Sequence, residues 1–161
     1  MNLNYLAFFL ISFVPLIIGS IWYHPNSWIL KKLKVSDQVG YTHLKWYQWL
    51  LAFLMSVSIV YGFINLVIHQ MGFYELFFTD IMQGKEESRL VVEEFLGKYG
   101  QKHHHFGHGI FHGAINAVVI CLPFVILNTF LDRKGSKAIW AHFSYWLVTS
   151  MLVCGLISEF V

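Results

Sequence analysis

The sequence predicts an all-α membrane protein, a four-transmembrane-helix bundle with an amphipathic extracytoplasmic segment between helices 2 and 3. Three observations predict it. The 161 residues are 57% hydrophobic and only 12% charged, too apolar for a water-soluble domain of this size. Four apolar runs, at about 3–23, 46–68, 109–131 and 138–160, each reach the roughly 20 residues that carry a helix across a bilayer. No Asp, Glu, Lys or Arg interrupts these runs before Glu159. Basic residues collect in two of the connections, as loops on the cytoplasmic side do. All of 1–161 reads as one polytopic domain whose first partner is the lipid bilayer.

The first span carries Pro15 near its middle, where the missing N–H frees a carbonyl and allows a bend if a neighbour satisfies it. Gly19 and Ser20 follow, then Trp22, Tyr23 and Trp28, ring types that favour the membrane–water interface. Met1-Asn2-Leu3-Asn4 lacks the basic start of a signal peptide, and no small-residue cleavage site follows the run, so the span is expected to be retained. The connection 24–45 holds Lys31, Lys32, Lys34 and Lys45 against Asp37 alone. This places it in the cytoplasm and the N-terminus outside.

The second span begins at Trp46 and contains the small-residue pairs Ala52/Ser56 and Ser58/Gly62, a spacing that lets helices approach closely. Segment 70–107 is then the outer loop. Leu90, Val91, Phe95, Leu96 and Tyr99 have the spacing of an amphipathic helix on the membrane surface or over the end of the bundle. Phe73, Leu76, Phe77, Phe78 and Ile81 suit a further short interfacial turn. The third span runs inward past Pro123 to a basic cytoplasmic turn at 132–137. The last returns outward through Trp140, His142, Tyr145 and Trp146, leaving the C-terminus outside.

Some classes of function find no support. The net charge of +2 sits in short loops and marks topology, so no nucleic-acid partner is expected. No phosphate-binding glycine loop, His-Glu-x-x-His pair or nucleophile–base pair occurs, and no catalytic residue is assigned. Cys121 and Cys154 fall inside spans, where a thiol acts as a small apolar group.

At Gly19-Ser20-Ile21-Trp22-Tyr23-His24-Pro25-Asn26-Ser27-Trp28 the chain resembles a bacterial membrane family known as domain of unknown function 1761. That family's first span ends in a Gly-x-x-Trp-Tyr-x-Pro pattern with a tryptophan soon after. Gly19, Trp22, Tyr23, Pro25 and Trp28 carry the match; His112-Gly113 and Tyr145-Trp146 also look similar to it. The long acidic outer segment and the histidine run depart from the shorter typical member. The resemblance implies a four-span fold in a bacterial cytoplasmic (inner) membrane and no activity.

The chemistry concentrates at residues 103–116, which hold five of nine histidines. If helical, at about 100° per residue, His105, His108, His112 and Asn116 share one stripe. His69 should emerge on the same side. Imidazoles so gathered can hold Zn²⁺ or another divalent metal, or respond to protons. The candidate ligands are His105, His108, His112 and His69, with His103 and His104 left at the interface. On the neighbouring stripe Gly109, Gly113 and Ala117 recur every fourth residue. Together with Ser58 and Gly62 they suit a non-catalytic accessory subunit that forms a homo-oligomer or joins a larger membrane complex. A third reading is a b-type haem electron-transfer protein, with His24 and His142 at one face and His69 and His112 at the other. The spacing leaves all three open.

Overall fold

The computed structural model describes residues 4–40, 44–100, 102 and 104–161; His43 and His103 lie outside them. The described residues form helices and connections, with no strand. Four helical stretches, Tyr5–Trp22, Trp46–Val67, Phe106–Leu131 and Ser136–Phe160, are long and apolar enough to cross a membrane. The third begins at Phe106, three residues before the expected boundary, because the His105 side chain caps it.

Each proline reshapes its span. In the first, α1 (Tyr5–Ile11) stops and α2 (Val14–Trp22) restarts with Pro15 in its first turn, a position where the missing N–H costs no helical bond. The break is satisfied from both sides. Ser12 Oγ donates to the Phe8 carbonyl at 2.9 Å, and Ser56 Oγ, from the second span, donates to the Ser12 carbonyl at 2.6 Å. In the third span, α8 (Phe106–Asn116) passes through one wide π-type turn, Ala117–Cys121, into α9 (Leu122–Leu131). Pro123 again falls in the first turn of the new helix, so the widened turn absorbs the proline without stopping the span.

After α2 the chain forms two short helices, α3 (Trp28–Leu33) and α4 (Ser36–Val39). Leu30 and Val35 in this connection pack against Ala141. The second span is α5 (Trp46–Val67). It ends at Ile68, whose φ of −90° and ψ of 88° are not helical, so the chain turns and His69 starts a new helix. The segment beyond is no loop but a helical hairpin, α6 (His69–Met82) against α7 (Glu86–Tyr99). Phe95 stacks on Phe73 with centroids 4.2 Å apart. Phe95 thus packs as an amphipathic face requires, and only part of the expected face differs. Val92 is the buried residue of α7, whereas Leu90 and Val91 are exposed.

α10 (Ser136–Phe160) is the hub. It touches α1, α2, α5, α8 and α9, and 44% of its most apolar stretch is buried, more than in any other candidate span. Toward α8 it presents Ser150, Cys154 and Gly155. A Cβ added at Gly109 would strike the Cys154 carbonyl, and one at Gly113 would lie 2.6 Å from the Met151 Cα. The two backbones are therefore in contact, which only glycine permits at these points. Large apolar side chains such as Ile21, Leu51, Phe111, Val119 and Phe124 remain exposed. An outer surface of this kind suits hydrocarbon rather than water.

Candidate metal centre

Three histidines from two helices, α6 and α8, meet at the end of the molecule where α5 gives way to α6. His69 arrives because the non-helical Ile68 turns the chain just after α5. His108 and His112 sit one turn apart on α8, so their rings share a face. His112 Nε2 lies 3.0 Å from His108 Nε2 and 3.2 Å from His69 Nε2. One ring nitrogen from each histidine falls within 4.8 Å of the other two. The arrangement comes from the break at Ile68 combined with the i, i+4 spacing on α8.

Two of the separations suit a metal. Two imidazole nitrogens bound tetrahedrally to Zn²⁺ at 2.0–2.1 Å are about 3.3 Å apart. Hydrogen bonding explains the trio less well. His112 Nε2 faces two other Nε2 atoms, yet one imidazole nitrogen has either one proton or one in-plane lone pair to offer. A cation at the centre would accept a lone pair from each ring. Three histidines on Zn²⁺ leave a fourth position for water or another ligand. His69 is exposed while His108 and His112 are half-buried, so the open side is the one next to His69.

His105 has a different task. Its backbone is extended, and its Nδ1 accepts the His108 N–H at 3.1 Å, making it the N-cap of α8. Its ring centroid is 5.7 Å from that of His108, and it stands outside the trio. His104 accepts from Gln70 Nε2 at 3.2 Å, while Gln70 also donates to the Gly100 carbonyl. Asn116 lies two turns below His108, buried between spans. In the sequence Glu159 marks only the end of the apolar run. Its Oε2 accepts the Phe106 N–H at 2.8 Å, placing a carboxylate at the electropositive start of α8. Sequence spacing carries no sign of that contact, which joins residues 53 apart.

The packing residues divide. Gly109, Gly113 and Ala117 are buried against or beside α10, so this stripe is consumed within the chain. Ser58 is exposed with its hydroxyl donating to the Leu54 carbonyl, and Gly62 has open space around it.

At the other end a second polar cluster explains the Trp-Tyr pair. Trp22 Nε1 donates to the Ala141 carbonyl at 3.1 Å, and Tyr23 Oη shares a hydrogen bond with His142 Nδ1 at 3.0 Å. The two histidines named for a haem at this face make other contacts. His24 is exposed, with Nδ1 accepting from the Asn26 N–H, and His142 is engaged by Tyr23. At the opposite end His69 and His112 approach to 3.2 Å, closer than the roughly 4 Å that two in-line metal–imidazole bonds span.

No family model, curated protein or solved structure matches the chain.

Proposed function

We propose that this chain is a multi-pass membrane protein that binds a divalent metal, with Zn²⁺ the best fit, through His69, His108 and His112. The observation that carries the reading is the gathering of one ring nitrogen from each of three histidines within 4.8 Å of one another, two of the separations being 3.0 and 3.2 Å. The donor set is all imidazole, which suits Zn²⁺ and disfavours Ca²⁺ and Mg²⁺, whose shells are built from oxygen. The excess of lysine in 24–45 and the basic turn at 132–137 support an N-out, C-out four-helix bundle in a cytoplasmic membrane, with the metal at the outer face. There the site would draw on extracytoplasmic metal and sense its level or present it to a partner. The open fourth position also allows a bound water to titrate, giving a response to pH.

The accessory reading loses its best surface, because Gly109 and Gly113 already meet α10. The test is a titration of purified, metal-stripped protein with Zn²⁺. Stoichiometric binding in the wild type, weakened at least a hundredfold in His108→Ala/His112→Ala, is expected. Equal affinity in the two proteins refutes the metal site.

A further inference from the structure

We propose a second binding site, inside the bilayer, that takes a hydrocarbon-soluble ligand carrying a carbonyl on a flat ring, chemistry of the prenylated-quinone type. The site is a cleft of about 560 Å³ between α5 and the α8–α9 span, separate from the histidines. Phe63, Phe124 and Trp146 contribute aromatic walls, and Asn116 contributes an amide. Asn116 is 6% exposed, and neither its side-chain oxygen nor its nitrogen has a hydrogen-bond partner among the described residues.

An amide left in that state is expensive in hydrocarbon, where no bulk water stands in for a partner. Asn116 falls about 4 Å from the middle of the span Phe106–Leu131, counting 1.5 Å per residue. Lipid headgroups do not reach that depth. A partner for the amide must therefore dissolve in the chains and bring its own hydrogen-bonding group. The cleft opens between Leu66, Ile120 and Phe124, all exposed on the apolar surface, so a ligand can enter from the bilayer itself. Its volume takes a ring with a short stretch of tail and is in the range of small-molecule sites. The aromatic walls favour a flat ring, whose carbonyl accepts from the Asn116 amide. The backbone beside the cleft supports a built site, because the widened turn Ala117–Cys121 follows Asn116 directly, and such turns gather at functional positions.

The experiment reconstitutes the full chain in phosphatidylcholine nanodiscs and titrates decylubiquinone, reading tryptophan fluorescence. Trp146 lines the cleft, so the wild type should show saturable quenching, and Trp146→Phe only the linear background of quinone dissolved in lipid. Asn116→Leu removes the amide at nearly constant volume and should weaken binding at least tenfold without lowering thermal stability. If that variant fails to fold, Phe124→Ala, on the exposed wall, should weaken binding severalfold in a stably folded protein. Farnesol, a hydroxyl on a flexible chain, should bind at least tenfold more weakly than the quinone. Linear quenching in the wild type overturns the proposal. So does saturable binding that Asn116→Leu leaves unchanged, or farnesol binding as tight as the quinone's.

Discussion

The Tyr145 hydroxyl donates to the carbonyl of Pro15 at 3.0 Å, across 130 residues of chain. The same ring lies over Gly19, where an added Cβ would meet it at 3.4 Å. Tyr145 thus ties the kink of the first span to the hub helix, as Trp22 and Tyr23 tie its end. Removing the hydroxyl leaves a buried carbonyl with one partner fewer, a loss of about 1 kcal/mol. Tyr145→Phe should lower stability by that amount in a denaturant titration in detergent, and Tyr145→Leu by more, because the contact with Gly19 goes too.

Gly113 and Gly62 were equal candidates as packing positions, and the fold separates them. At Gly113 a side chain would meet the Ser150 and Met151 backbone, which cannot give way unless the two helices separate. Gly113→Leu should cost at least 3 kcal/mol, roughly the upper range for overpacked sites. Gly62→Ala meets nothing within 4 Å and should be neutral or stabilising by up to about 1 kcal/mol. Thermal unfolding of the two variants side by side checks both values. Similar losses in the two would mean that Gly62 also packs against another helix.

The four candidate spans were legible because twenty apolar residues without a charge have few alternatives. Pro15 announced a disturbance, but not its kind, and Pro123 announced none. Whether the span breaks, as at Ser12, or widens, as at Ala117–Cys121, depends on which neighbour can satisfy a freed carbonyl. His108 and His112 were legible from helical spacing, and His69 from its place at the end of a span. His105 could not be sorted from them, since an N-cap and a ligand look alike until the first helical residue is known, and histidine is not among the usual caps. The Tyr23–His142 contact joins residues 119 apart, and neither the interfacial ring nor the motif at Tyr23 points to that partner. The hairpin of α6 and α7 was half legible. Its aromatic residues were plain, but the true inward residue, Val92, depends on how α7 rolls against α6.

The hairpin turn gives a pH prediction. Asp80 meets Lys85 Nζ at 2.7 Å and accepts from Ser88 Oγ at 3.2 Å. The hydrogen bond from Lys85 holds the Asp80 carboxyl below its ordinary range. A carboxyl depressed in the folded state stabilises above its unfolded pKa, and that contribution disappears as pH falls through the lowered value. The turn should therefore loosen under acid, below the usual carboxylate range. The pair is exposed and weak, so salt should loosen it as well. Amide exchange at residues 83–86 should quicken severalfold in Asp80→Asn at neutral pH and show less acid dependence than in the wild type.

His105 and His69 provide the sharpest separation of support from ligation. His105 Nδ1 caps α8 through the His108 N–H, so His105→Asn should keep the cap, since asparagine is among the best residues there. His105→Ala should lose about 1 kcal/mol of stability. Neither change removes a nitrogen from the trio, and Zn²⁺ affinity should stay within a few fold. His69→Ala removes one of three converging nitrogens and should weaken Zn²⁺ at least a hundredfold, with little change in the stability of the metal-free protein, because His69 is exposed at a helix start. Zinc competes with protons for the same lone pairs, so wild-type binding should release protons and weaken as the solution is acidified. Calorimetry in two buffers of different ionisation enthalpy measures affinity and proton release together. An alanine at 105 that abolishes binding while one at 69 spares it would move the centre from the α5–α8 junction to the start of α8.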